Sequence, residues 1–292
     1  MNPFPMALVL ASTLMHAGWN LLARYERSET LFFRRMLAVV ALVGLVPAVL
    51  SEALSDPFSP LVWICVVGSG FFCGLYFFYL ARAYETADFT TVYPVARALP
   101  VLLVAFGDLL RGRHPTTFGW FGMALVISGC FLAPLSSFRG FNLRSYINRT
   151  SLWMILTALG TVGYTLLDKT ASEIIQPGPA SAARYGYVFF LMSYLFYAGF
   201  LALFCRSKGS PDKLGWKMPV AAGGLNFAAY WLVLWAYQLS RHASYIVAFR
   251  QFSIVIGVVL AFVLYREQGM PIRLTGTLMI TSGLVLIAMW GG

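Results

Sequence analysis

Ten times along this chain, a run of about 17–25 residues passes almost without charge and ends in a short polar break. A run of that length, wound as an α-helix, reaches across a hydrocarbon core of about 30 Å. It must be helical there, because in lipid a lone segment can satisfy its backbone N–H and C=O groups only within itself. The runs are Pro5–Ala23, Leu31–Leu50, Leu61–Leu80, Thr90–Leu110, Thr117–Leu135, Leu152–Thr170, Ser181–Phe204, Met218–Leu239, Ala243–Leu264 and Pro271–Trp290. Composition agrees, with 59% hydrophobic and 11% charged residues against roughly a quarter charged in soluble domains. The expected fold class is an all-α membrane protein with ten transmembrane helices, and the lipid bilayer is its first partner. The first run has no basic leader and leads straight into a second, so it is read as a retained span.

Lys and Arg number 21 against 11 Asp and Glu, which in a soluble chain would suggest nucleic acid. Their placement argues against that. Twelve fall in the breaks after odd-numbered runs: Arg24 and Arg27, Arg82, Arg139 to Arg149, Arg206 to Lys217, and Arg266 with Arg273. The positive-inside rule puts those breaks in the cytoplasm and both termini outside a plasma (inner) membrane. The excess charge is then topology, and no nucleic-acid partner is expected. Cys65, Cys73, Cys130 and Cys205 form no CxxC pair and have no neighbouring His ligands. No Ser/His/Asp order, Walker loop or HExxH stands in a fitting context, so neither metal, cofactor nor enzyme activity is expected.

Internal similarity organises the ten runs. "GWNLLAR" from Gly18 matches "GYTLLDK" from Gly163, and "AYETADFTTVYPVAR" from Ala83 matches "AYQLSRHASYIVAFR" from Ala236 without a gap, which sets Arg97 on Arg250. "GMALVISG" from Gly122 meets "GTLMITSG" from Gly276. Runs 1–5 and 6–10 are therefore read as two copies of one unit, spanning residues 4–136 and 152–290. Five crossings per unit is odd, so the copies must insert in opposite senses as inverted repeats.

With "HAGWNLLAR", "ARAYETADFTTVYPVARALPVLLVAFG" and the paired five-helix pattern in hand, the chain resembles the drug/metabolite transporter superfamily in its ten-helix, EamA-type form. The resemblance implies a secondary transporter, commonly an exporter of metabolites, with a cavity lined by helices 1, 3, 4, 6, 8 and 9. It also implies cytoplasmic termini, against the charge count. The family's Gly-Glu pair ending helices 4 and 9 survives loosely as "YRE" at Glu267 and is replaced by "RGRHP" after Leu110.

Arg97 and Arg250 each lie about 10 Å inside an apolar run, where a guanidinium costs on the order of 2.5–3.5 kcal/mol. Because runs 4 and 9 start from opposite sides, the two arginines are expected beneath different membrane surfaces, one in each vestibule. Ser12, His16, Trp19 and Asn20 share a face of the first helix near mid-depth, and the repeat brings Tyr164 to the level of Arg250. Tyr76, Tyr93, Asn226, Tyr230 and Gln251 complete the candidate substrate-binding set. Duller alternatives stand beside it: arginines can snorkel or meet carbonyls freed by Pro94 and Pro100, and aromatics can pack or sit at the interfaces. Lys169 and Arg184, near segment ends, are read as snorkelling.

Asp108, Asp168, Glu267, Glu85 and Asp88 all fall near segment ends or in breaks, so no central carboxylate is expected. Two guanidiniums without one favour a small anionic or zwitterionic substrate such as an amino acid, organic acid or phosphonate, moved by alternating access. A coupling proton is one further candidate partner. Oligomeric state is left open. The alternatives are a drug or lipid-linked sugar transporter of the same superfamily, or a non-transporting membrane scaffold.

Overall fold

The computed structural model describes residues 2–24, 29–86, 89–133, 149–205, 215–265 and 270–291, with backbone alone for helix residues 24, 29, 84–86, 89–96, 149–150, 260–265 and 270. Eleven helical stretches follow one another among them: α1 (Pro3–Arg24), α2 (Glu29–Leu54), α3 (Pro60–Thr86), α4 (Phe89–Leu110), α5 (Thr117–Leu132), α6 (Arg149–Ser172), α7 (Pro179–Phe204), α8 (Lys217–Leu239), α9 (Ala243–Arg250), α10 (Phe252–Tyr265) and α11 (Met270–Trp290). Seven of the described helices, α1, α2, α3, α6, α7, α8 and α11, are long and apolar enough to cross a membrane. The outward face of α2 exposes Leu42, Val43, Val46, Val49 and Leu50, a stripe that water would penalise and hydrocarbon does not.

The ninth run departs from expectation. The continuous helix Ala243–Leu264 is instead two pieces, α9 and α10, parted at Gln251. There the backbone tightens: Gln251 N–H reaches Ala248 O at 2.9 Å, and Ile254 N–H reaches Gln251 O at 2.8 Å. Counting the two pieces as one crossing restores ten.

Local chemistry sets the other boundaries. Gly112, at φ +70, closes α4: its N–H bonds Leu109 O, and the N–H of Arg113 bonds Asp108 O at 2.8 Å. That is a left-handed helix stop, which glycine adopts without steric penalty. Thr116 then caps α5, its hydroxyl accepting from Gly119 N–H at 3.0 Å.

The two halves of the chain interleave. α1 packs along α8, α3 lies against α6 and α7, α2 against α7 and α8, and α4 against α5, α6 and α9. α5 and α11 run antiparallel through glycines: a side chain at Gly122 would meet Gly283 O at 2.7 Å, and Gly129 faces Gly276. Glycines also let α3 approach its neighbours, with Gly160 of α6 against the Phe72 and Tyr76 backbone and Gly74 of α3 against Phe196.

Candidate functional site

Two adjoining chambers open inside the bundle and share His16, Tyr76, Tyr164 and Arg250 in their walls. The first, with a volume of about 30 Å³, is aromatic: Trp19 and Tyr76 stand with Phe189, Phe190 and Tyr230, and Asn226 adds an amide. The second, about 50 Å³, is polar: Asn20, Arg97, Thr157, Thr161 and Gln251 line it beside the shared residues. A water's share of liquid is about 30 Å³, and pockets for drug-sized ligands run roughly 300–1,000 Å³. Both chambers are therefore small in this conformation, with room for a water or two rather than a metabolite.

Each wall residue is placed by its helix. On α1, Trp19 is buried against Phe33 and Phe77, and its Nε1–H donates to His16 Nδ1 at 3.1 Å. Asn20 Nδ2 donates back to His16 O at 2.8 Å. Edge-to-face contacts carry the aromatic wall from α3 to α8: Tyr76 to Tyr164 at 6.0 Å, then Tyr164 to Tyr230 at 5.8 Å. Phe189 stacks on Tyr230 at 4.7 Å, and the Arg250 guanidinium lies 5.6 Å above the same Tyr230 ring. Arg97 reaches from α4 to the break in the ninth crossing, donating to Ser253 Oγ at 2.7 Å, while Ser253 Oγ donates to Arg250 O.

The arginines differ from expectation in one respect: they are not one to each vestibule but share the wall of the polar chamber. Arg97 thus reaches the point where α9 ends at Arg250 and α10 begins at Phe252, while the Arg250 guanidinium turns to the Tyr230 ring. Ten of the eleven candidate residues line a chamber: Arg97, Arg250, His16, Trp19, Asn20, Tyr76, Tyr164, Asn226, Tyr230 and Gln251. The side chain of Tyr93 lies outside the described residues.

Two amides in these walls hold unspent hydrogen-bonding atoms. Gln251 Nε2 donates to Val247 O at 3.0 Å, which fixes the amide's orientation, and its Oε1 has no partner. Asn226 Nδ2 is likewise buried without one. One is a buried acceptor on a residue that lines the polar chamber, the other a buried donor on a residue that lines the aromatic one.

The acidic residues require a correction. Asp168 stands near the end of α6 as expected, yet it is fully buried, accepting hydrogen bonds from Ser69 Oγ, Tyr185 OH and Tyr230 OH. Tyr230 connects it to the chamber wall. Asp108 is equally buried and caps α9, accepting from Ala243 N–H, Ser244 N–H and Ser244 Oγ. Glu85, Asp88 and Glu267 have side chains outside the described residues. Lys169 does not snorkel either: it is 2% exposed and donates to Tyr237 O and Ser240 O. Arg184 pairs with Glu52 and covers the Phe58 ring. A signal for part of this was present on α6, where Thr157, Thr161, Tyr164 and Asp168 recur at one helical face.

Residues 4–134 match the model of the EamA-like transporter family. Among solved structures, one titled "Crystal structure of protein" superposes with a TM-score of 0.72 at 16% identity, covering 98% of each chain, a likeness of fold. No protein of curated function matches.

Proposed function

We propose that the chain is a secondary transporter or permease of the EamA-like, drug/metabolite type, a reading supported by the family match over residues 4–134, and that its substrate is a small anionic or zwitterionic metabolite. The observation that carries this reading is the pair Arg97 and Arg250 on one chamber wall that holds no Asp or Glu among the described residues. Two guanidiniums in a low-dielectric space attract a carboxylate, phosphate or phosphonate and present matched donors to it. Gln251 Oε1 suits an ammonium beside the anion, and the aromatic chamber suits an apolar or planar tail with an acceptor for Asn226.

Movement follows from two inverted five-helix units, residues 4–136 and 152–290, rocking about the chambers. Supporting this symmetry, α1 lies on α8 as α6 lies on α3, and α5 meets α11 antiparallel through matching glycines. The test is a thermal-shift titration of the detergent-purified protein with amino acids, organic acids and phosphonates, followed by flux into liposomes. Binding is expected for anionic or zwitterionic compounds and weakened about tenfold or more in Arg97→Gln and in Arg250→Gln. Hits that persist undiminished in both variants, or that are exclusively neutral or cationic, overturn the anion reading; absence of any flux supports the scaffold.

A further inference from the structure

The transport reading leaves the buried carboxyl of Asp168 unused. Asp168 sits behind the aromatic chamber with a hydroxyl from each of three helices aimed at it: Ser69 of α3 and Tyr185 of α7 at Oδ1, and Tyr230 of α8 at Oδ2. We propose that Asp168 is a proton-binding site whose loading reverses its hydrogen bond with Tyr230 and turns that hydroxyl toward the substrate. The proposal rests on the transport reading for its purpose, though not for its test.

The kind of donor is what distinguishes this carboxyl from a structural one. Asp108, the other buried aspartate among the described residues, has a backbone N–H on each carboxyl oxygen beside the Ser244 hydroxyl, and an N–H can only donate, so both oxygens must remain acceptors. Every partner of Asp168 is a hydroxyl, which both donates and accepts and rotates between the two. An ionised Asp168 accepts a hydrogen bond from all three hydroxyls. Once Oδ2 carries a proton it must donate, and the partner in place is the Tyr230 oxygen. Tyr230 then keeps its own O–H for the chamber, under the guanidinium of Arg250. Bound proton and bound anion support each other, because the freed hydroxyl is one more donor for the anion.

The proton has a path and the step balances. Tyr230 touches both the chamber and Oδ2, so hydronium entering the chamber protonates the phenol oxygen as that oxygen hands its hydroxyl hydrogen to Oδ2. One O–H bond forms and one breaks at Tyr230, water is left behind, and no electron is transferred. The surrounding groups fit such an exchange. Cys65 and Cys73 face the site from α3, Tyr185 from α7, Tyr230 and Tyr237 from α8, and Arg250 from α9. On α6 itself, Lys169 is directed away to Tyr237 O, Ser240 O and Glu173. The guanidinium of Arg250 is the cation whose field the carboxylate shares with the chamber, and an arriving anion competes for it.

Infrared difference spectroscopy tests this on the whole protein in lipid, labelled with carboxyl-¹³C aspartate and taken between about pH 9 and about pH 4 with no substrate present. The expected result is an isotope-shifted carboxylic C=O band that is missing in Asp168→Asn, retained in Asp108→Asn, and displaced in Tyr230→Phe. Where Asp168→Asn yields no folded protein, Ser69→Ala and Tyr185→Phe, each deleting one hydroxyl partner, must displace the band. A wild-type protein without the band, a band unchanged in Asp168→Asn, or one indifferent to all three hydroxyl deletions overturns the proposal. Because no substrate is used, a failed anion screen leaves this result standing, and the reverse holds too.

Discussion

Lys169 Nζ lies 2.8 Å from Tyr237 O and 2.6 Å from Ser240 O, at the end of α8, and 3.1 Å from a Glu173 carboxylate oxygen. The final carbonyls of a helix lack intrahelical partners, and a cation there satisfies them and complements the helix dipole. Lys169→Met keeps most of the stem and removes the donors, so it should destabilise the protein by about 1–3 kcal/mol for the carbonyls left bare. Thermal unfolding in detergent reads this directly, and an unchanged midpoint would mean that those carbonyls find other donors. Its sequence position, one residue from Asp168 and close to a segment end, reads naturally as snorkelling. Nothing local reveals that α8, about 70 residues further on, brings its end to the same place. The wall residues were more legible, since Arg97, Asn226 and Gln251 stand out as polar groups in apolar runs that lipid would penalise.

Among elements, the glycine seam between α5 and α11 is the sharpest constraint. "GMALVISG" and "GTLMITSG" each put glycines seven residues apart, two turns along one helix face, and the antiparallel packing opposes Gly122 to Gly283 and Gly129 to Gly276. Gly122→Leu places a side chain where even a Cβ would stand 2.7 Å from Gly283 O and from Ile287 Cγ1, so the helices must separate. Overpacking of this kind costs about 1–3 kcal/mol. Gly199→Leu is the matched control, because a Cβ at that α7 position meets nothing within 4 Å, and its unfolding midpoint should not fall. The matching glycine spacing was visible as similarity between these two distant stretches. The break between α9 and α10 was not: "FRQFSIV" holds neither proline nor glycine, and the interruption follows from how Arg250, Gln251 and Ser253 settle against the chambers and Arg97.

For the whole molecule, one end of the bundle is stitched by polar contacts. Asp108 caps α9, Tyr245 OH accepts from Thr116 N–H, and Thr116 Oγ1 donates to Trp290 O. Arg111, Arg113 and Lys169 converge on Glu173, just beyond α6. Partial burial works to raise the Glu173 carboxyl, but Lys169, Arg111 and Arg113 outweigh it and hold it below its ordinary value of 4.5. A carboxylate lowered in the folded state contributes stability that is present above its unfolded value and disappears as pH falls through the folded one. The unfolding midpoint should therefore drop as pH falls below about 4.5, and less so in Glu173→Gln. If this end opens during transport, Glu173→Gln should also speed thiol labelling of Ser240→Cys at neutral pH. Equal labelling rates in the two backgrounds would locate the moving seam elsewhere.

Sequence by itself determined the class and the approximate spans. The reason is energetic: unpaired backbone in hydrocarbon costs enough that an apolar run of about 20 residues becomes a helix whatever its neighbours do. Tertiary structure alone decided which polar groups meet. Arg97 and Arg250 share a wall, Asp168 collects three hydroxyls, and Lys169 finds the end of α8 only because of how each helix is rotated and tilted against partners distant in the chain. Helical periodicity defines the faces of one helix; it carries no information about which face of another they will touch.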